Sequence, residues 1–133
     1  MAELEQALQT RLTGFAGLSA LVSARIYPLL LPQPPVLPAV TYQRITSSRW
    51  SSIPGDDGVA EPRIQVDAWA RSYGAAKAVA AQVRLALQRW SSEASDPVVL
   101  DAFLETDGDL FEEDTAIYRV TADFRIIHRE ALV

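Results

Sequence analysis

A run of prolines between Arg25 and Ile45, RIYPLLLPQPPVLPAVTYQRI, restricts the fold of this chain more than any other feature. Five of the eight prolines fall within residues 28–38. Proline lacks an amide hydrogen and pushes the preceding residue toward extended geometry, so the segment cannot form a helix. The run predicts stiff, extended or polyproline-like chain, which loses little entropy when it is held in one path. We expect the apolar residues between the prolines to be covered rather than to form an exposed ligand for another domain. They are Leu29, Leu30, Leu31, Val36 and Leu37.

Apolar residues recur at helical spacing in two parts of the chain. The first stripe consists of Leu4, Leu8, Leu12 and Phe15. It predicts an N-terminal helix beginning at about Ala2, with a short helical turn over 18–23 after it. The second stripe runs through SYGAAKAVAAQVRLALQRW, which is rich in alanine and free of proline. It predicts a central helix with Ser72 as its N-cap.

Alternating apolar and polar residues predict four strands, over about 38–45, 63–70, 98–105 and 118–126. The last two form a hairpin around a polar turn, Thr106–Thr115. Trp69 falls on the polar face of the second strand. This order predicts an α+β fold, with an antiparallel or mixed sheet of about four strands packed on one face by the N-terminal helix and the central alanine-rich helix. A single domain, 1–133, accounts for the whole chain.

Charge and composition exclude several classes of function. The formal net charge of -5 and the pI near 4.8 predict a surface that repels phosphate backbones, so nucleic-acid binding by a broad basic face is disfavoured. Because the chain has no cysteine, disulfides and Cys-based zinc sites are excluded. The lack of cysteine also agrees with assembly in a reducing cytoplasm. The N-terminus MAELEQALQTRL lacks the basic and apolar regions of a secretion signal. The longest uncharged stretch, 26–43, is broken by prolines, so we expect no membrane span.

The chain offers few groups for catalysis. His128 is the single histidine, and no cysteine or Gly-x-Ser-x-Gly elbow accompanies it as a nucleophile. Asp56 and Asp57 form a carboxylate pair in PGDDG, although aspartate beside glycine is typical of turns. The acidic residues of 107–114 depart from calcium-loop spacing and predict a solvated turn. We expect no enzyme activity, no metal and no cofactor.

Five pieces of the sequence, in this order, resemble the tail-completion or tail-terminator family of long-tailed bacteriophages, also called head-to-tail joining proteins. The pieces are RIYP, LPQ, LPAVTYQRI, RIQVDAWA with the helix after it, and DLFEEDTAIYRVTADFRIIHRE. They cover about 18–130. The residues that carry the resemblance are Tyr27, Pro28, Pro32, Gln33, Tyr42, Asp67, Trp69, Asp109, Tyr118, Arg119 and Asp123. Pro34 and Pro35 depart from the family, which more often has a small or polar turn there.

The resemblance implies a structural subunit that forms a homo-hexameric ring. Such a ring caps the finished tail tube and presents its opposite face to the head connector or stopper protein. It would belong to the virion, at the head-tail junction, after assembly in the host cytoplasm of a phage, prophage or gene-transfer particle. DNA would pass through the bore without sequence-specific binding. We add the hypothesis, from the net charge alone, that an acidic ring repels this DNA.

The segment Ser47–Pro62, SSRWSSIPGDDGVAEP, predicts a loop or a long hairpin tip. Long loops in compact domains are usually functional or disordered. We therefore expect 47–62 to be mobile in the free subunit and to become ordered against a neighbouring ring. The candidate contact residues are Trp50, Ile53, Pro54, Asp56 and Asp57 in this segment, with Trp69, Arg71 and Phe103 for subunit contacts.

Three other interpretations remain open. The nearest is another head-tail connector or tail-tube adaptor, which would use the same ring. A small-molecule binding module would need a polar pocket between helix and sheet, yet the inward faces predicted here are almost purely apolar. A weak enzyme would have to depend on Asp56, Asp57 or His128.

Overall fold

The computed structural model describes residues 3–52 and 55–130 of the chain. Its three helices are α1 (Leu4–Thr13), α2 (Ala16–Val22) and α3 (Tyr73–Leu87). Its strands are β1 (Ile26–Pro28), β2 (Ala39–Thr46), β3 (Arg49–Ser52), β4 (Gly55–Ala60), β5 (Arg63–Ala70), β6 (Val99–Glu112) and β7 (Ile117–Arg129). The α+β class and the mixed sheet are confirmed. The predicted number of about four strands is wrong, because seven strands join one sheet in the described residues.

The sheet is built around β7. On one side of β7 lies β6, and on the other side lie β5, β2 and β1 in that order. Among the described strands only β1 and β2 are parallel to each other, and every other pair is antiparallel. The short β3–β4 hairpin joins the end of β7 through pairs of Val59 with Arg129 and Ala60 with His128.

The three helices pack on one face of this sheet. Ser72 caps α3, as predicted, because its Oγ accepts a hydrogen bond from the amide of Ala75 at 3.2 Å. The apolar stripe of α3 is buried at Ala76, Val79 and Val83, where small side chains let the helix approach the sheet closely. The predicted N-terminal stripe is also confirmed, since Leu4, Leu8 and Leu12 have no exposed surface.

Strand alternation places the core between helices and sheet. Ile64, Val66 and Ala68 of β5 point toward the helices and are at most 2% exposed. Phe124 and Ile126 of β7 point the same way and close the core beside them. The opposite side chains of these strands form a second face without helices, which we call the helix-free face.

One local prediction needs correction. The turn between β6 and β7 covers only 113–116, instead of Thr106–Thr115, because strand pairing continues as far as Glu112 and Ile117. The Phe111 ring packs 4.7 Å from the Tyr118 ring there, which helps to hold the longer ladder. The described part of the segment 47–62 contains the paired strands β3 and β4, which is the second of the two forms that its composition allowed.

The proline run begins with β1 and continues as irregular chain to Pro38. Three of the five apolar residues between its prolines are exposed in the subunit, contrary to expectation, while Leu31 and Leu37 are partly buried. Leu29 is 67% exposed, Leu30 79% and Val36 64%.

Among the described residues, none of the helices combines the length and apolar character needed to cross a bilayer.

Candidate interaction surface on the helix-free face

A buried ion pair lies at the centre of the helix-free face. Asp67 on β5 is only 5% exposed, and its Oδ2 accepts a hydrogen bond from Nη2 of Arg119 on β7 at 2.9 Å. The amide of Gln65 donates a second hydrogen bond to Asp67, at 3.1 Å. Alternation along β5 points both side chains away from the helices, and the antiparallel register brings Arg119 beside them.

Trp69 packs against this ion pair. The Arg119 guanidinium lies 4.9 Å from the centre of the Trp69 ring, within the range of a cation–π interaction. The indole N–H of Trp69 donates to Oγ1 of Thr41 on β2 at 2.8 Å, which fixes the orientation of the ring. Thr41, Asp67, Trp69 and Arg119 thus link three neighbouring strands, and we call them the Trp69 cluster.

Further ion pairs extend across the helix-free face below the Trp69 cluster. Arg63 on β5 binds Asp123 on β7 at 2.9 Å. Arg125 on β7 is hydrogen-bonded to Glu105 of β6, and its Nη1 lies 3.9 Å from Oε1 of Glu61. Cross-strand pairs of opposite charge stabilise a sheet and leave few unpaired charges on its surface.

A groove of about 600 Å³ lies over the Trp69 cluster. One wall is the proline run, which contributes Leu29, Leu30 and Leu31. The other wall is the end of the β6–β7 hairpin, with Glu112 and Ile117. A concave surface with exposed leucines, one tryptophan and two arginines has the composition of a protein–protein contact. We call it the sheet groove.

The structure brings two of the predicted contact residues together, since Trp69 and Arg71 both line the sheet groove. Phe103 lies on the same face but pairs with Arg125 near the other end of β7. Trp50 is far from both in the fold, on β3, where it is 46% exposed and donates its indole N–H to Glu61 at 3.1 Å. Ile53 and Pro54 fall outside the described residues, and Asp56 and Asp57 lie on β4 with side chains that are also outside them.

Sequence reasoning missed the ion pair and the exposed leucines. Asp67 in the middle of an otherwise regular strand was the available signal, but its partner Arg119 depends on strand register. Leu29 and Leu30 were expected to be covered, and the stiff chain between prolines instead holds them at the rim of the groove.

The titratable groups do not form a catalytic arrangement in the described part of the chain. His128 is 3% exposed, and burial lowers its pKa, so the ring is neutral at pH 7. Asp109 is exposed, and hydrogen bonds from Tyr73 and Lys77 lower the pKa of its carboxyl. No group of three or more His, Cys, Asp or Glu side chains within the described ranges could hold a metal ion.

A second concavity, of about 380 Å³, lies between α1 and the segment after α3. Its lining includes Thr10, Arg11 and Trp90. Arg11 donates to the carbonyl of Ala86 at 2.8 Å, so its guanidinium ties α1 to the end of α3 beside this concavity. This concavity lies away from the sheet. A third concavity, of about 600 Å³, lies between α1 and the sheet, with Gln9, Ile26 and Tyr42 in its lining, which is the kind of place that the small-molecule alternative requires.

Comparison with known proteins finds a matching family and similar solved structures. The family described as tail completion protein gp17 matches residues 6–129. Among solved structures, a chain of "Virion of native gene transfer agent (GTA) particle" has a TM-score of 0.74 and 24% sequence identity, and the match covers 97% of this chain and 99% of that chain. At this level of identity the likeness shows a common fold. No curated protein matches the sequence.

Proposed function

Since the chain belongs to the tail completion protein gp17 family, whose members are structural proteins of bacteriophage tails, we propose that six copies form a ring that ends the tail tube. The family places the chain in the virion as a structural component. In the proposed role, one face of the ring stops further polymerisation of the tube. The other face joins the tail to the head connector.

Exposed apolar surface is the observation that carries this proposal. Leu29 and Leu30 lie beside the Trp69 cluster at 67% and 79% exposure, and Trp50 is 46% exposed on the hairpin. Exposed apolar groups that gather around a groove usually mark a surface that another protein covers. A tail subunit that contacts its own copies and two different partners needs several such surfaces.

Two of these surfaces, the sheet groove and the β3–β4 hairpin, lie at opposite ends of β7. The sheet groove is next to Ile117 and Arg119, where β7 begins. The β3–β4 hairpin pairs with His128 and Arg129, where β7 ends. A closed ring of identical subunits in the same orientation has two different faces. This subunit therefore offers one distinct surface for each face of the proposed ring.

Charge supports the passage of DNA without binding. The net charge of the chain is -5. Three arginines of the helix-free face, Arg63, Arg119 and Arg125, each pair with a carboxylate. Few cations are left on that face to release counterions from a phosphate backbone. We propose that the bore repels DNA and lets it pass.

Deletion of 52–58 tests the proposed role of the hairpin. The deletion leaves Val59 and Ala60, which pair with the end of β7, so the subunit should stay folded. Particles with this variant should have tails of uncontrolled length or tails that do not join heads, which electron microscopy measures directly. Arg84→Ala on the exposed side of α3 is the matched control and should give normal particles. Normal virions with the deletion would contradict the proposal.

The same images separate a terminator from a connector. Loss of a terminator leaves tubes that grow too long. Loss of a connector or adaptor of the head leaves finished tails of normal length beside heads. Particles that lack this protein altogether therefore decide between the two roles.

A further inference from the structure

The outer edge of β6 is covered along only half of its length. At Ala102 the carbonyl accepts a hydrogen bond from the amide of Arg89 at 2.6 Å. At Leu104 the amide donates to Oε1 of Gln88 at 2.9 Å. The segment that follows α3 therefore closes the first half of this edge.

The second half of β6 is open. Residues of an antiparallel strand direct their amide and carbonyl groups alternately to its two sides. Ala102 and Leu104 direct these groups outward, and the register shifts by one residue between Leu104 and Thr106. Asp107, Asp109 and Phe111 then direct theirs outward beyond the shift. Within the described residues these backbone groups have no backbone partner, and we call 107–111 the open edge.

Apolar side chains flank the open edge on both faces of the sheet. Phe111 is 49% exposed on the helix side, beside Tyr73 at 47%, and Leu110 is 50% exposed on the helix-free side. Proteins usually protect an exposed edge with charges, prolines or a covering segment. The aspartates here give part of that protection, but the aromatic and aliphatic groups favour coverage by another strand.

The opposite edge of the sheet cannot supply that strand. At β1, which has three residues, the Ile26 carbonyl accepts from Nε2 of Gln9 at 3.1 Å and the Ile26 amide donates to Ala24 at 2.9 Å. Pro28 has no amide hydrogen, and its carbonyl accepts from Leu30 at 2.7 Å. This edge is closed by the chain itself.

The terminal strand of the hairpin, β3, has the position and direction that the open edge requires. It is the last strand on the β5 side of β7, so it faces away from β6. It runs in the same direction as β7, and β6 runs against β7, so β3 and β6 are antiparallel. In a closed ring all copies keep one orientation along the axis. The β3 strand of one copy would therefore meet β6 of the next copy as an antiparallel partner.

Side chains also favour this pairing. Segment 46–52, TSSRWSS, contains no acidic residue, and the exposed ring of Trp50 can cover Leu110 or Phe111. Acidic residues lie along and just beyond the open edge, at Asp107, Glu112, Glu113 and Asp114. The one basic residue of the segment, Arg49, already pairs with Glu130. The strand therefore adds no acidic charge beside these carboxylates, and its large aromatic group complements the apolar side chains of the edge.

We propose that β3 of one copy pairs with the open edge 107–111 of the next copy, so that the sheets of all copies join around the ring. This inference rests on the proposed ring. The paired strands lie at different heights, since β3 is beside the end of β7 and the open edge is beside its beginning. A sheet that closes into a barrel requires such a stagger, together with tilted strands.

A proline at position 107 tests the pairing. Asp107→Pro removes an amide hydrogen that points outward and leaves the ladder between β6 and β7 intact. Asp107→Ala is the matched control, because it removes the same carboxylate and keeps the amide. Sedimentation velocity over a range of concentrations, with purified tail tubes added in a second series, measures association. We expect the wild type and Asp107→Ala to form rings, and Asp107→Pro to associate at least tenfold more weakly with an unchanged melting temperature.

Cross-linking gives a second measurement, because the chain has no cysteine of its own. A mixture of Trp50→Cys and Phe111→Cys copies should give cross-linked dimers with a short bismaleimide. A mixture of Trp50→Cys with Leu85→Cys, on the exposed side of α3, should give none. Rings that form with Asp107→Pro, or equal cross-linking in both mixtures, would overturn the pairing and leave the ring proposal standing. A wild type that stays single in both series would overturn both.

Discussion

Loss of the Arg119 guanidinium should destabilise the subunit more than loss of the Asp67 carboxylate that it binds. Arg119→Met keeps an aliphatic stem of similar length but leaves a carboxylate whose side chain is only 8% exposed. Removing one partner of a buried pair costs about 3 to 5 kcal/mol. Gln65 still donates one hydrogen bond to Asp67, which puts the expected loss near the lower limit, at about 3 kcal/mol.

The reverse change should cost less. Asp67→Asn leaves the Arg119 side chain, which is 25% exposed, with access to water in the sheet groove and with the Trp69 ring against it. The loss is then close to that of one hydrogen bond to a charged group, about 1.5 kcal/mol. For a domain of this size, about 1 kcal/mol changes the melting temperature by roughly 4 °C. We therefore expect decreases of about 12 °C for Arg119→Met and about 6 °C for Asp67→Asn.

Urea unfolding followed by circular dichroism gives the free energies of unfolding for the wild type, the two single variants and the double variant. The single losses should not add, and the cycle should give a coupling energy of about 1 to 3 kcal/mol, because the residues are in contact. Equal losses in the two single variants, or losses below about 1 kcal/mol in both, would refute the argument from burial.

Three further predictions concern the fold. Burial lowers the pKa of His128 in the folded subunit below its ordinary value of 6.5. The unfolded chain therefore binds a proton at a higher pH than the folded subunit does, so the stability that the neutral ring contributes is complete above this pH and is lost as the pH falls below it. His128→Gln should remove this part of the loss between about pH 7.5 and pH 5 in urea unfolding, and an unchanged pH profile would contradict it. Ser72→Ala removes the α3 cap and should cost about 1 kcal/mol, whereas Ser72→Asp should cost little; equal losses would argue against the cap. Leu12→Ala opens a cavity under α1 and should cost about 2 to 5 kcal/mol, with Thr10→Ala on the exposed side as control and thermal unfolding as the measurement.

The elements that the sequence predicted best are those that a local pattern of side chains specifies. The α3 stripe, its Ser72 cap and the alternation along β5 are local patterns, and each specifies which side faces the core. The β6–β7 hairpin was also predicted from alternation on both strands. Its turn was placed too broadly, because Asp107 and Asp109 look like loop residues although they lie on an exposed strand edge.

The candidate surfaces were harder to predict because they depend on register. Trp69 was placed on the polar face from alternation alone, and the structure agrees. Its contacts with Thr41 and Arg119 join residues far apart in sequence, and a shift of one residue between strands would separate them. The pairing of the 47–62 segment into β3 and β4 is likewise fixed by contacts with the end of β7, which no local pattern reveals.

The proline run connects the opening constraint to the proposed function. Flexible chain in this position would let Leu29 and Leu30 collapse onto the apolar parts of the subunit. Prolines restrict that freedom, and the backbone is further held where the Leu29 amide donates to the Tyr42 carbonyl at 2.8 Å and the Arg25 side chain donates to the Pro38 carbonyl at 2.8 Å. The leucines therefore stay at the rim of the sheet groove in the free subunit. Ordering such a wall on binding costs little entropy, so more of the contact energy is available to hold a partner in the assembled particle.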